Sequence, residues 1–141
     1  MTDHEDLIRG YWERCWNGRE LDHLGAVFHE PYVHNRSERT PRDHAEIITD
    51  TLASFPDLQV TIDDIRTTGD AVVTRCRFVG THDGMAFGIS ATGRQIIAPT
   101  LDVFFISDGK VHRLWHLTDH LPIVRDIGAT VRVGDQTATL D

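Results

Sequence analysis

Two aspartates on neighbouring predicted strands, Asp102 and Asp119, are the residues of this sequence best suited to acid–base chemistry. Asp108-Gly109 is a strong two-residue hairpin turn, and pairing counted outward from it puts Asp102 opposite Trp115. Strand alternation then places Leu117 and Asp119 on the same face as that pair. A carboxyl group among apolar and aromatic side chains has its pKa raised toward neutrality, as a general acid or base requires. This face therefore predicts an acid–base site.

Three of the candidate polar residues also have a structural interpretation. Asp119 stands just before Leu121-Pro122, where it could cap a closing helix. Arg75 lies on a predicted strand and either holds an anion in a pocket or stays solvated. His82 follows a strand end, where binding residues concentrate, and it either enters a pocket or fixes its loop by a hydrogen bond.

Three aromatic residues, Tyr11, Trp12 and Trp115, are candidate walls of a binding pocket. Aromatic residues at helical spacing are more often core, so we expect only part of the N-terminal set to reach a pocket. A flat aromatic wall would suit a polycyclic or terpenoid substrate.

The nine histidines of the chain raise the question of a metal site. His112, His116 and His120 follow one another at four-residue intervals, which would converge on a helix. Their segment has the pattern of a strand, where four residues span about 13 Å. We therefore predict no metal site here.

A change in hydrophobic period divides the chain near Pro56. Before it, apolar residues recur at helical spacing, with Asn17-Gly18 as a stop signal and Thr40-Pro41 as a helix start. After it, alternation predicts a run of antiparallel strands that ends in a short helix. This order predicts an α+β fold with helices on one face of a curved sheet. We place one domain at residues 1–129 and a tail at 130–141, partly disordered or in contact with a partner chain.

Composition excludes several classes of function. The chain has 141 residues and a formal net charge of -8, which argues against a nucleic-acid surface. No apolar run is long enough for a transmembrane helix, and the acidic N-terminus lacks the apolar core of a signal peptide. The two cysteines are far apart and form no zinc motif. We therefore expect a reduced, cytoplasmic protein that binds neither nucleic acid nor membrane.

Several short motifs together resemble the SnoaL-like polyketide cyclases. They are, in chain order, Tyr11-Trp12 with Cys15-Trp16-Asn17-Gly18, Phe55-Pro56-Asp57-Leu58, Gly80-Thr81-His82-Asp83-Gly84, Gly88-Ile89 with Thr92-Gly93-Arg94, and Asp108-Gly109-Lys110-Val111 with Trp115-x-x-x-Asp119. The resemblance spans about residues 5 to 129. It implies a cone-shaped α+β barrel of the nuclear transport factor 2-like superfamily, with three or four helices that enclose a deep pocket, commonly in a homodimer.

The resemblance also implies a reaction. In these cyclases an aspartate at the position of Asp119 takes a proton from an activated carbon, and the resulting enolate closes a ring by attacking a carbonyl. No metal or organic cofactor is implied. Alignment to ketosteroid isomerase instead places Asp102 on the aspartate that stays protonated in that enzyme's oxyanion hole.

The chain departs from its relatives on the first strand, which reads Tyr32-Val33-His34-Asn35. Many SnoaL-like chains have their histidine one place later. We therefore expect Asn35 to take the pocket position and His34 to point away, although His34 stays a candidate substrate-binding residue with Asn35 and His82. Because Asn35 cannot take a proton, a steroid-isomerase mechanism is disfavoured.

Limonene epoxide hydrolase offers an alternative comparison. It resembles this chain in an asparagine near Asn35, an arginine near Arg75 and an aspartate near Asp119. Its second aspartate falls on Arg77, so the Asp–Arg–Asp unit is incomplete unless Asp102 replaces it. An epoxide-opening hydrolase or ether-forming cyclase is thus the second hypothesis.

Our leading hypothesis is cofactor-independent acid–base catalysis on a small hydrophobic carbonyl compound, with Asp119, Asp102 and Arg75 as catalytic residues. We expect replacement of Asp119 by asparagine to abolish turnover and leave the fold intact. A third hypothesis is a non-catalytic module that binds a small ligand, because a fold of this kind does not fix its function.

Overall fold

The computed structural model describes residues 3–140, so that residues 1, 2 and 141 of the predicted domain and tail lie outside the described part. Helix α1 spans His4–Gly10 and continues as a π-helical segment, Tyr11–Asn17. A 3₁₀ turn, Leu21–His23, leads into the short helix α2, Leu24–Val27. Helix α3 spans Pro41–Ser54, and α4 spans Leu121–Asp126.

Six strands form one mixed sheet in the order β2-β1-β6-β5-β4-β3. Their bounds are β1 Phe28–His34, β2 Ser37–Arg39, β3 Gln59–Thr68, β4 Ala71–Thr81, β5 Gln95–Ser107 and β6 Lys110–Thr118. Neighbouring strands are antiparallel except β1 and β6, which are parallel. The predicted α+β fold, a curved and mostly antiparallel sheet covered by helices, is confirmed.

The π-helical segment places four buried side chains on one face. A π-helix closes i→i+5 hydrogen bonds, so residues five apart lie above one another. The indole N–H of Trp16 accordingly donates to the hydroxyl of Tyr11 at 2.9 Å. Tyr11, Trp12, Cys15 and Trp16 are all buried against the sheet.

Helix α3 begins where the sequence predicts it. Thr40 is its N-cap, Pro41 is its first residue, and Thr40 and Asp43 form a reciprocal capping box. The cap satisfies two of the backbone N–H groups left free at a helix start. The helix buries His44 and Ile48 on the face that meets the sheet.

A β-bulge at the start of β6 overturns the predicted strand register. Ser107 pairs with Lys110 as expected, but the register shifts between Phe105 and Ile106, where His112 is the extra residue. Asp102 therefore pairs with His116 instead of Trp115. The predicted shared face of Asp102, Trp115, Leu117 and Asp119 is wrong, because one inserted residue exchanges the two faces of the strand beyond it.

The outer face of the sheet is unusually apolar. Trp115 is 40% exposed and Leu117 is 67% exposed, and both lie on this face of β6. Ile97 and Leu101 are exposed beside them on β5. This set of four residues, here called the outer apolar face, lies opposite the helices.

The tail forms a two-stranded hairpin instead of extending the main sheet. Strand β7, Thr130–Val133, pairs with β8, Gln136–Thr139. Contact of this tail with a partner chain stays a prediction. Within residues 3–140, no helix combines the length and the apolar character that crossing a membrane requires.

The connection between β4 and β5 is fastened to the end of α3. The backbone N–H groups of Asp83 and Gly84 both donate to the carbonyl of Ser54, and the Ser54 hydroxyl donates to the carbonyl of Met85. The closeness of the two backbones leaves no room for a side chain, since a Cβ on Gly84 would lie 1.9 Å from the carbonyl oxygen of Ala53.

We predict that Gly84→Ala lowers the free energy of unfolding by about 1–3 kcal/mol, the usual cost of forcing atoms into a packed site. Urea unfolding measures the change. Gly25→Ala is the control, because nothing lies within 4 Å of a Cβ at Gly25. Equal stability of Gly84→Ala and the wild type would contradict the predicted backbone clash.

Candidate active site

A cavity of about 380 Å³ lies between the helices and the inner face of the sheet. Its apolar lining includes Trp16, Phe55, Leu58, Phe78, Ile96 and Leu114. Its polar lining includes Tyr11, His34, His44, His116, Thr118 and His120. Tyr11, His44 and Leu58 are buried, whereas Phe87 and His120 are exposed and mark the open end.

Asp102 is a carboxyl group buried in the sheet beneath this cavity. It is 1% exposed, and its Oδ1 bonds to Nδ1 of His116 on the neighbouring strand. Its Oδ2 is buried without a hydrogen-bond partner among the described residues. Burial raises the pKa of Asp102, and the hydrogen bond from His116 opposes that rise.

His116 extends from Asp102 into the cavity and is held at three points. Its Nε2 lies 2.7 Å from the hydroxyl of Thr118. Its backbone N–H donates to Oδ1 of Asn35 at 2.8 Å, and its carbonyl accepts from Nδ2 of Asn35 at 3.2 Å. An imidazole with a buried carboxyl partner at one nitrogen, in an apolar cavity, is suited to accept and return a proton.

Asn35 and His34 occupy the reverse of their predicted positions. Asn35 has a φ of 55°, a left-handed conformation that asparagine adopts more readily than most residues, and its amide clamps the backbone of β6. His34 shares the inward face of β1 with Tyr32 and lines the cavity. The prediction failed because it was taken from the position of the family's histidine, although alternation from the buried Tyr32 already places His34 inward.

A second polar cluster surrounds His44. The Nε2 of His44 lies 2.8 Å from the hydroxyl of Tyr11, and its Nδ1 lies 2.5 Å from the hydroxyl of Tyr32. The His34 ring stacks on His44 with 5.5 Å between centroids and meets the His116 ring edge-on at 6.2 Å. Burial lowers the pKa of His44 to about 3 and that of His34 to about 4, so both are neutral near pH 7.

Three predicted site residues lie outside the cavity lining. Asp119 is exposed, and its Oδ1 accepts from the N–H of Leu121 at the start of α4. Arg75 is exposed on the outer face of β4, 3.7 Å from Asp63. Trp115 lies on the outer apolar face, under the guanidinium of Arg113. The bulge at His112 accounts for the outward position of Trp115. The N-cap residue of α4 is His120, so Asp119 contacts the helix start from one position before the cap.

The remaining predicted residues are divided between cavity, core and loop. Tyr11 lines the cavity. Trp12 is buried in the core, where its indole N–H donates to Thr74. His82 is also buried, and its Nδ1 accepts from Thr92 and fixes the loop that follows β4. Its predicted pocket role gains no support from this position.

Sequence reasoning did not identify His116 and His44 as site residues. A signal for His116 was present, because the buried residues Val111 and Leu114 are three apart, which indicates a change of face between them. His44 occupies an apolar helix face with Ile48, and no local pattern distinguishes it from a core histidine. Within residues 3–140, no three His, Cys, Asp or Glu side chains converge as a metal site would require.

Comparison with known proteins gives one consistent result. The model of the SnoaL-like polyketide cyclase family matches residues 6–127. Among solved structures, TsrD from Streptomyces laurentii has a TM-score of 0.82 and 29% identity, over 92% of this chain and 99% of that one. None of the curated proteins matches the sequence.

Two further structures extend the comparison. IdmH from Streptomyces antibioticus, a candidate polyketide cyclase, has a TM-score of 0.79 and 27% identity, over 86% of this chain and 96% of its own. A SnoaL-like polyketide cyclase from Agrobacterium tumefaciens has a TM-score of 0.80 and covers 91% of this chain and all of its own. At 20% identity the latter likeness concerns the fold alone.

The buried neutral state of His44 predicts a pH dependence of stability. An unfolded histidine has a pKa of about 6.5, whereas folded His44 has one of about 3. Between these values the unfolded chain binds a proton that the folded chain does not. The free energy of unfolding should therefore fall as pH falls from about 6.5, by up to about 1.4 kcal/mol per pH unit for this residue.

Urea unfolding between about pH 5 and 6.5 measures this slope. His44→Gln should have a shallower slope than the wild type, and the difference isolates His44 because the other titrating groups are common to both chains. The control His112→Gln, at an exposed position, should keep the wild-type slope. Equal slopes in all three proteins would contradict a neutral buried His44.

Proposed function

We propose that this chain, which belongs to the SnoaL-like polyketide cyclase family, closes a ring in a small hydrophobic carbonyl compound by acid–base catalysis inside its cavity. The observation that carries the proposal is the His116–Asp102 pair, in which a buried carboxyl group holds an imidazole that lines an apolar cavity. Family membership supports the type of reaction, and the geometry of this pair supports the assignment of the proton-transfer group.

The reaction begins when the substrate displaces the Thr118 hydroxyl from Nε2 of His116. The imidazole takes a proton from a carbon next to a carbonyl, and the buried Asp102 carboxylate stabilises the imidazolium that forms. The enolate carbon then bonds to a second carbonyl carbon of the same molecule. The alkoxide left on that second carbonyl takes the proton back from His116, so that no proton is gained or lost.

The lining of the cavity supports a neutral, hydrophobic substrate. Aromatic and aliphatic side chains form most of the wall, and the volume of about 380 Å³ suits a compound of a few fused rings or less. No lysine or arginine lines the cavity within the described residues, so no cation is positioned to hold a carboxylate. A ketone or ester would bind without the cost of burying an unpaired charge.

Asp119 is the alternative acid–base residue, and its role stays a prediction based on family resemblance. Its carboxylate is exposed, and its Oδ1 accepts from the backbone N–H of Leu121 at the start of α4. Asp119 is not among the cavity-lining residues, so its carboxylate is not placed beside a bound substrate. We therefore assign the proton transfer to His116.

The outward position of Arg75 and its pairing with Asp63 leave the epoxide-opening hypothesis without its Asp–Arg–Asp unit in the cavity.

An aryl methyl diketone with three methylenes between its carbonyls tests this assignment, because attack of its methyl carbon on the aryl-bearing carbonyl gives a six-membered ring that chromatography detects. His116→Gln should lower kcat/KM by about 10²–10⁴-fold, the usual contribution of a general base. Asp119→Asn should change it by no more than about threefold, because Asp119 lies outside the cavity lining and asparagine can still accept the single hydrogen bond from Leu121.

Circular dichroism establishes that both variants fold. The opposite ranking, with Asp119→Asn inactive and His116→Gln active, would overturn the proposed base and favour the family-based assignment. Absence of catalysis by the wild type on such diketones, despite their binding, would favour a ligand-binding module.

We also propose that two copies of this chain pair through the outer apolar face. An exposed apolar patch of this kind on a sheet commonly marks a protein interface. The four residues of the face lie on adjacent strands, so a second copy could cover them together. This proposal assigns the contact of the predicted homodimer to the outer apolar face.

Sedimentation velocity tests the pairing. The wild type should sediment as a dimer, and Leu117→Glu should shift it to a monomer because it places a charge within the buried face. Met85→Glu, at another exposed apolar position, is the control and should remain dimeric. A dimeric Leu117→Glu or a monomeric wild type would contradict the proposed interface.

A further inference from the structure

We propose that Tyr11 is a catalytic hydrogen-bond donor to the substrate's carbonyl oxygen, and that His44 is the positioning residue that turns the Tyr11 O–H into the cavity. The inference rests on the proposed function, because it supplies the second half of the same site. His116 removes the proton from carbon, and Tyr11 stabilises the negative charge that then develops on oxygen.

The hydrogen bonds around the Tyr11 oxygen show which of its donor and acceptor positions are occupied. A phenol oxygen can accept two hydrogen bonds and donate one. The indole N–H of Trp16 donates to it at 2.9 Å, which occupies one acceptor position. Nε2 of His44 lies 2.8 Å away and either donates to the second position or accepts the phenol's proton.

The environment of Tyr32 decides between these two arrangements. The buried Tyr32 hydroxyl has one close partner, Nδ1 of His44 at 2.5 Å, and one distant partner, Nδ1 of His34 at 3.5 Å. If Nδ1 of His44 carried the proton, the buried Tyr32 O–H would keep only the distant acceptor. Buried hydroxyls are rarely left so poorly paired, so Tyr32 donates to Nδ1 of His44.

The tautomer of His44 follows from that donation. A neutral imidazole carries one N–H, so His44 must carry it at Nε2 and donate it to Tyr11. Both acceptor positions of the Tyr11 oxygen are then filled, by Trp16 and by His44. The Tyr11 O–H is the one proton of this cluster without a protein acceptor, and Tyr11 lines the cavity.

The Tyr11 ring is fixed in position before any substrate binds. Phe28 and Phe104 contact it edge-on, with centroids at 5.2 and 5.6 Å. A rigid donor in a cavity of low dielectric stabilises a developing oxyanion without reorganising at the moment of reaction. The His44 ring contacts Tyr11 and His34, and His34 contacts His116, so neighbouring rings connect the donor with the base.

The chemistry requires no further group. As Nε2 of His116 takes the proton from carbon, the C–H electron pair becomes the new C=C bond and the carbonyl electrons move onto oxygen. Tyr11 shares its proton with that oxygen without losing it. The charge disappears from the oxygen when the enolate carbon bonds to the second carbonyl.

Binding of a matched pair of probes tests the donor. β-Acetonaphthone and β-ethylnaphthalene have the same ring system, and only the first carries a carbonyl oxygen. Tyr11→Phe should weaken acetonaphthone binding about three- to tenfold, the equivalent of one net hydrogen bond. The same variant should bind ethylnaphthalene as the wild type does, which separates loss of the donor from collapse of the cavity.

The infrared band of carbonyl-labelled acetonaphthone reports the hydrogen bond directly. Its frequency should be lowered in the wild type and return toward its apolar-solvent value in Tyr11→Phe. Tyr32→Phe removes the donor that fixes the His44 tautomer, so it should also lose part of the lowering. His112→Gln, at an exposed position outside the cavity lining, is the control and should retain the lowering. An unchanged band in Tyr11→Phe would overturn the proposal.

¹⁵N NMR of the wild type tests the role of His44 without any variant. With acetonaphthone bound, the His44 ring should be protonated at Nε2, and protonation at Nδ1 would overturn its positioning role. Deuterium exchange at the acetyl methyl of the bound ketone keeps this inference distinct from the proposed base. If exchange survives in His116→Gln while the carbonyl band depends on Tyr11, the base assignment fails and the donor assignment stands.

Discussion

The burial of one carboxyl group, that of Asp102, is the constraint on which the rest of the site depends. A carboxylate at 1% exposure is costly unless it is paired. Among residues 3–140, the hydrogen-bond partner of this carboxyl group is His116, from the neighbouring strand. His116 reaches Asp102 only because the bulge at His112 shifts the register of β6 by one residue and so brings His116 to the inner face. The Asn35 amide holds the backbone of His116 in place.

The same apolar surroundings keep two neighbouring histidines uncharged. Burial keeps His34 and His44 neutral, so that the cavity holds several imidazoles without an accumulation of positive charge. Neutral imidazoles can both donate and accept, and His44 links the hydroxyls of Tyr11 and Tyr32. Aromatic and aliphatic side chains line the cavity beside these polar groups. The cavity thus combines polar groups for a carbonyl with apolar surface for the body of a substrate.

Much of the fold follows from local signals in the sequence. The capping box at Thr40, the Asp108-Gly109 turn and the change from helical to alternating spacing each predict an element that the structure contains. The site is harder to predict. Strand alternation assigns side chains to the two faces of the sheet in turn, and one bulged residue exchanges the faces of every residue beyond it. The sequence predicts Asp102 as a candidate site residue but pairs it with Trp115 instead of His116. His44 could not be found at all, since its role depends on two tyrosines brought to it by other elements.

The titration of the Asp102 carboxyl tests the central claim most directly. Carboxyl ¹³C NMR of the wild type should show Asp102 titrating above the ordinary value of about 4, because burial disfavours its charged form. In His116→Gln the pKa should rise further, since the imidazole that stabilises the carboxylate is gone. A carboxyl that titrates at or below the ordinary value, or one that is unaffected by the loss of His116, would contradict the buried pair as the centre of this site.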